Sequence, residues 1–277
     1  MPDQRKTNDP IMCYKYIPLD SGSLCILTEG TLKYTNPLDF NDPFDCHPSF
    51  NDSLEEIRRG TSLAIERALG TSVMPTERKL SPAQRGQYRA RAARALKAKI
   101  HSDEWRSGIL RDVGVVSLSS NPTDILMWSH YADFHKGFVV GFRVGVEGLV
   151  AEDLKRHGFH LLPYEVEYTS KRPMVNLASD SKTDQMQKIL LTKSVHWKYE
   201  AEQRVIDIDR GPGIHPYDRD RTLNCVIAGM RMSDVDFEVL KQAVADLNEF
   251  PTLAHVKLYR AKPSQTNFEV EIPGFPR

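Results

Sequence analysis

The sequence predicts an α+β fold: a mixed, mainly antiparallel sheet with helices between its strands and one helical insertion. Three observations lead there. Short β-rich runs recur along the chain, among them Met12–Ile17, Val113–Ser119, Phe138–Phe142 and Leu223–Ala228. The connections between them are short and irregular, unlike the long crossovers of a doubly wound parallel sheet. Residues 53–112 have few strand formers, and two stretches there, 53–69 and 82–107, place apolar residues at helical spacing. The 277 residues are read as a flexible tail over 1–11 and a single domain over 12–277, with the insertion at about 53–112.

Each element has a local reason. The run Met12–Ile17 is a strand stopped by Pro18. Ser21 or Ser23 caps a short helix that ends just before Gly30. Thr31–Thr35 resumes as a strand and Asn36-Pro37 closes it, so the opening reads strand, helix, strand. Residues 70–75 form a turn or loop between the two helical stretches. Asp124 caps a helix over 125–132, and Phe138–Phe142 is apolar enough to be buried on both faces. Leu161–Tyr168 is a strand, 182–198 is helical with Ile189, Leu190 and Leu191 inward, and Arg204–Ile208 is a strand. Ser233 caps a helix over 234–247, and His255–Tyr259 and Phe268–Ile272 close the chain as strands.

Composition narrows the function classes. Lys plus Arg and Asp plus Glu each number 37, so no net charge drives the whole molecule toward nucleic acid or anionic membrane. The start MPDQRKTNDP lacks a signal-peptide core and no apolar stretch is long enough to span a membrane, so a cytoplasmic protein is expected. Cys13, Cys25, Cys46 and Cys225 show no CxxC spacing and read as free thiols, and no metal site is predicted. GxGxxG, GxxxxGK[ST], HExxH and GxSxG are missing, against a Rossmann dehydrogenase, a P-loop enzyme, a zincin and a common serine hydrolase. Arg85, Arg89, Arg91, Arg94, Lys97 and Lys99 crowd the second helical stretch, as a solvated face or as a patch for nucleic-acid phosphates.

Three dense segments mix aromatics with polar side chains, a mixture that a plain apolar core has little use for. The first, Tyr34–Asp45, sets Asp39, Asn41, Asp42 and Asp45 around Phe40, Pro43 and Phe44, as a rigid Asx-type turn or as the wall of a pocket. Pro43 and the aromatics disrupt the alternate-ligand spacing of a calcium loop. The second, Trp128–Gly137, carries His130 and His135 at a spacing that suits hydrogen bonding better than zinc, with His130 in the pocket and His135 at its rim. The third, His196–Arg204, holds Glu200 and Glu202, which a strand would put on one face with Arg204. Glu202 is placed to pair with Arg204; alternatively one glutamate binds a ribose hydroxyl or stabilises an oxocarbenium-like sugar cation. Tyr199 or Trp197 beside them would stack on a flat ring. All three segments are expected to converge on one site.

Tyr14-Lys-Tyr16, Phe40-Asn-Asp-Pro-Phe44, Leu126-Met-Trp-Ser-His-Tyr-Ala132, His135-Lys-Gly-Phe138 and Tyr199-Glu-Ala-Glu-Gln-Arg204 together resemble a large bacterial and phage-associated family of unknown function. That resemblance runs from about residue 12 to about residue 260. More distantly, the order of elements resembles the split NAD-binding fold of ADP-ribosyltransferases. This second resemblance implies a first-strand position at Tyr14 or Lys15, a second-strand position at Tyr34 or Thr35, and a late catalytic glutamate at Glu200 or Glu202. Lys15 stands where those enzymes have His or Arg, and would hold a phosphate as a point charge. The implied set has Glu202, Glu200 and His130 as catalytic residues, and Tyr14, Lys15, Tyr34, Thr35, Phe40, Asn41, Trp128, Tyr131 and Tyr199 around NAD. The expected activity is ADP-ribose transfer from NAD to a nucleic-acid or protein target, in antiviral defence, with Arg85, Arg89, Arg94 and Lys97 recruiting nucleic acid. The competing expectations are a non-enzymatic nucleotide-sensing or interaction module and a nuclease.

Overall fold

The computed structural model describes residues 11–69, 80–145 and 159–276. In chain order β1 (Ile11–Ile17), α1 (Ser21–Thr28) and β2 (Thr31–Tyr34) come first. They are followed by β3 (Ser49–Phe50), α2 (Leu54–Leu69), α3 (Pro82–Ile100), α4 (Asp103–Leu110), β4 (Gly114–Ser119), α5 (Ile125–Tyr131) and β5 (Phe138–Val144). Next come β6 (Tyr164–Glu165), β7 (Glu167–Thr169), β8 (Met174–Val175), α6 (Lys182–Leu190) and β9 (Thr192–Ser194). The last part holds β10 (Glu202–Asp207), β11 (Gly213–Pro216), α7 (Arg219–Thr222), β12 (Leu223–Ala228), α8 (Asp234–Asn248), β13 (Lys257–Arg260), β14 (Lys262–Pro263) and β15 (Val270–Glu271). The fold is α+β.

Two compact units form: the described parts of 1–36, 112–166 and 196–277, and those of 37–111 and 167–195. The first unit is built on a seven-stranded sheet in the order β13-β12-β5-β1-β4-β10-β6. Every adjacent pair is antiparallel except β12 with β13, which are joined through α8. β5 lies between β1 and β12, and all its residues but Arg143 are buried, as its unbroken apolar run requires. One face of the sheet carries Val116, Leu118, Phe138, Phe142 and Val226. Onto it α8 lays Leu240, Ala243, Val244 and Leu247, an i, i+3, i+4, i+7 stripe. The other face carries Tyr14, Tyr16, Val139 and Ile227, covered by Met127 and Trp128 of α5.

In the second unit α3 packs Ala93, Leu96 and Ile100 into a small core with Ile57, Phe50, Trp105 and Leu177. Two short parallel pairs, β3 with β8 and β7 with β9, belong to the same unit. Glu56 ties it together by accepting from the Ala178 and Ser179 amides at 2.7 and 3.2 Å.

Several boundaries differ from the sequence expectation for identifiable reasons. The cap of α1 is Asp20, whose carboxylate accepts from the Ser23 amide while Ser23 Oγ accepts from the Asp20 amide. The helix expected over 82–107 stops at Ile100, and α4 starts afresh behind Ser102. The strand expected over Leu161–Tyr168 divides at Val166: Tyr164 and Glu165 pair with β10, whereas Glu167 onward pairs with β9. The helix expected to 198 ends at Leu190, because Thr192–Ser194 is drawn into that pairing with β7. The loop expected at 70–75 lies outside the described residues, as does the expected tail apart from Ile11, which opens β1.

Candidate active site

The site in the first unit is built from α5 and from the approach to β10. Asp124 starts α5 by accepting from the Leu126 and Met127 amides at 2.9 and 3.0 Å. That cap fixes which way the helix turns. Trp128 goes fully into the core, where its Nε1 donates to the Pro122 carbonyl and its ring meets Tyr16 edge-on at 5.4 Å. Tyr131 is half-buried and His130 exposed.

Beyond α5 the chain makes an unusual turn. Asp133, Phe134 and His135 are all left-handed, with φ of 43°, 52° and 69°. The turn is held by backbone bonds from the His135 amide to the Trp128 carbonyl and from the Gly137 amide to the Ala132 carbonyl. Gly229 and Arg231 donate back to the Gly137 and His135 carbonyls. The His135 imidazole lies stacked on Trp128, 6.4 Å between centroids, and its Nδ1 is buried without a hydrogen-bond partner. Burial and then Arg231 lower its pKa. At this turn His135 contributes its backbone and its ring face.

The two carboxylates arrive differently from one another. Val195–Glu200 is a 3₁₀ segment, and Ala201, with φ +43°, turns the chain into β10. Glu200 is therefore not a strand neighbour of Glu202, and the alternation argument for a shared face does not apply to it. It reaches the α5 side nevertheless, accepting from the Tyr131 hydroxyl at 2.6 Å. Glu202 stands in register with Ser119 of β4, and Ser119 with Tyr14 of β1, so a row Tyr14–Ser119–Glu202 crosses three strands on one face. Arg204 donates to Glu202 through Nε at 2.9 Å and Nη2 at 3.0 Å, with both residues buried. His130, Tyr131, Tyr199 and Trp197 form an aromatic rim, with His130–Tyr199 and Trp197–Tyr199 centroids 6.2 and 6.1 Å apart.

Lys15 marks a split in the sheet. β1 and β4 pair only at Tyr14 and Ser119, while Thr35, just past β2, bridges the far end of β4 at Val115. The Lys15 ammonium donates to the Ser117 carbonyl at 3.1 Å, between those two points. Burial pushes its pKa from 10.5 down to about 8, with Glu202 opposing the shift. Between these two values the unfolded chain holds a proton that the folded chain has lost, so stability rises with pH across that window. Denaturant unfolding of the parent and of Lys15→Met from pH 7.5 to 10 should show the parent gaining on the variant above about pH 8. A pH-independent difference would show that this lysine titrates normally.

Tyr34, Phe40 and Asn41 are the remaining expected ligands. Tyr34 is buried on the opposite face of the sheet from Tyr14, 5.4 Å from the His215 ring and under the Arg210 guanidinium. Phe40 and Asn41 belong to the second unit, where the first segment folds as the Asx-type turn. Asp42 Oδ1 accepts from the Phe44 amide at 2.9 Å, and the Asp45 amide donates to the Asp42 carbonyl at 3.1 Å. Asp45 in turn meets Lys193 at 3.5 Å and Arg106 through its carbonyl at 3.1 Å. Ser119 was not singled out from sequence. The alternation of Ser117, Ser119 and the apolar Val116 and Leu118 is the signal that could have found it.

Residues 127–205 match a family model described as a protein of unknown function (DUF2971), so a domain of unknown function covers His130, Tyr131, Tyr199, Glu200 and Glu202. Comparison with curated proteins and with solved structures finds no match. No helix among the described residues is long and apolar enough to cross a membrane.

Proposed function

We propose that the first unit binds NAD at the Glu200–Glu202 step and transfers ADP-ribose to a target nucleophile. The observation that carries this reading is the turn at Ala201, which separates two buried carboxylates, Glu202 on the strand and Glu200 against Tyr131 of the aromatic rim with His130, Tyr199 and Trp197. Bound NAD supplies a glycosidic bond that breaks with its electron pair leaving on nicotinamide while the target nucleophile bonds to the ribose carbon and gives up its proton. The donor set suits the nicotinamide-ribose end: carboxylates for hydroxyls, half-buried aromatic rings for a flat base and an exposed imidazole for phosphate. Lys15, which donates to Ser117, is less suited to hold phosphate than His130.

The two glutamates take separate roles in this reading. Glu202 is engaged by Arg204 on two nitrogens, so it acts as a positioning residue that keeps the strand end rigid. Glu200, whose Oε1 accepts from the Tyr131 hydroxyl, supplies the charge that meets the developing sugar cation. Glu200→Gln retains the acceptor for Tyr131 and removes the charge. Turnover of NAD, followed with mass detection of products, should fall about 10²–10³-fold with the melting temperature near that of the parent. Undiminished turnover in this variant would remove Glu200 from catalysis.

A second reading is favoured by the same Arg204–Glu202 pair, since a neutralised carboxylate suits recognition better than reaction. In it the same site belongs to a nucleotide-sensing module. Saturable nucleotide binding to the parent with no NAD consumed would support it. Under either reading a place in antiviral defence comes from the family resemblance.

A further inference from the structure

We infer that α3 is a docking surface for the phosphodiester backbone of a nucleic acid. This does not rest on the NAD reading, because α3 belongs to the second unit and the proposed site to the first.

Over the 19 residues of α3 stand Arg85, Arg89, Arg91, Arg94, Lys97 and Lys99, with no acidic residue among them. All six are exposed. Lys97 has a structural partner, Asp52 at 2.7 Å. Arg85 and Arg94 direct Nε to the Leu80 and Ala90 carbonyls, contacts that neutralise no charge. Among the described residues, Arg85, Arg91, Arg94 and Lys99 have no acidic partner. Charge is also sorted between the units. The second unit's segments carry 18 Lys and Arg against 13 Asp and Glu, a net +5, which in a chain of zero net charge leaves −5 on the other unit.

Geometry favours a polyphosphate over a membrane. Arg85 to Lys99 spans about 21 Å at 1.5 Å per residue, a length over which duplex DNA presents about a dozen phosphates. Between the cations lie Ala90, Ala92, Ala95 and Ala98, short side chains that let a backbone approach closely. An interfacial membrane helix needs an apolar face to insert. The apolar stripe of α3, Ala93, Leu96 and Ile100, is already turned onto Ile57, Phe50, Trp105 and Leu177.

The test uses the full chain with a labelled 20-base-pair DNA duplex, a matched RNA duplex and vesicles rich in phosphatidylserine. The expected result is anisotropy binding to at least one duplex, with log K falling against log salt at a slope of about −4 for four to five phosphates engaged. Arg91→Glu with Arg94→Glu, exposed positions that keep good helix formers, should weaken binding at least tenfold and flatten the slope by about two, with an unchanged circular dichroism spectrum. Lys241→Glu on α8, already paired with Glu238 in the other unit, should leave binding unaltered. Absence of salt-dependent binding to both duplexes would overturn the inference. So would a double reversal without effect, or vesicle binding as tight as duplex binding.

Discussion

Replacing Glu202 with glutamine should cost about 3–5 kcal/mol of stability, because buried Arg204 then loses the carboxylate that both its Nε and its Nη2 donate to. In a protein of this size the melting temperature should fall by roughly 10 °C. The exchange keeps volume and one acceptor, so packing contributes little to the loss and the missing charge most of it. Glu202→Leu combined with Arg204→Met removes both charges and fills similar space. That double variant should regain most of the stability, since a buried ion pair replaced by apolar side chains is often neutral. Thermal unfolding in the absence of any nucleotide separates this effect from catalysis. Glu202→Gln unfolding at the parent temperature would show that Arg204 is held by other groups.

Gly137→Ala should be as damaging, for a steric reason. A Cβ on Gly137 would overlap the Ile17 carbonyl oxygen and stand 3.0 Å from Pro18 Cα and from the Ala132 carbonyl carbon. These are backbone atoms of β1's end and of the turn after α5, so no side chain can swing aside. Gly229, which donates to Gly137, is equally hemmed in by the His135 carbonyl. The expected loss exceeds about 3 kcal/mol, read as failure to accumulate soluble protein or as a large drop in the denaturation midpoint. Gly86→Ala on exposed α3, where nothing lies within 4 Å of the added carbon, should instead stabilise by about 0.5–1 kcal/mol. Equal stability for both variants would remove the steric explanation.

The elements legible in the sequence were those whose local chemistry agrees with their tertiary role. Phe138–Phe142 reads as a strand buried on two faces, and the strand over Phe138–Val144 occupies the interior of the sheet. Asp124 and Ser233 were readable as caps because each lies directly before its helix and accepts from that helix's amides. What was illegible depended on partners far away in sequence. Nothing local in Leu161–Tyr168 shows that its two ends pair with different strands, and Thr192–Ser194 becomes a strand only because Glu167–Thr169 lies beside it. At the candidate site, the meeting of Tyr131 with Glu200 bridges 69 residues. The residue types of Trp128–Gly137 and His196–Arg204 signalled that pairing, but their spacing misled. Two-residue alternation assumes an unbroken strand, and Ala201 breaks it.

The threading of the chain has a consequence for synthesis on the ribosome. β5 is flanked by β1, made early, and by β12, which ends at Ala228 and is itself covered by β13 near residue 260. The second unit, by contrast, has all its segments once residue 195 has emerged. A nascent chain therefore carries the apolar run of β5 without its later neighbour while some eighty residues are added. At ordinary elongation rates that interval lasts about 4 to 16 seconds, when the open edge is exposed to chaperones and to other nascent chains.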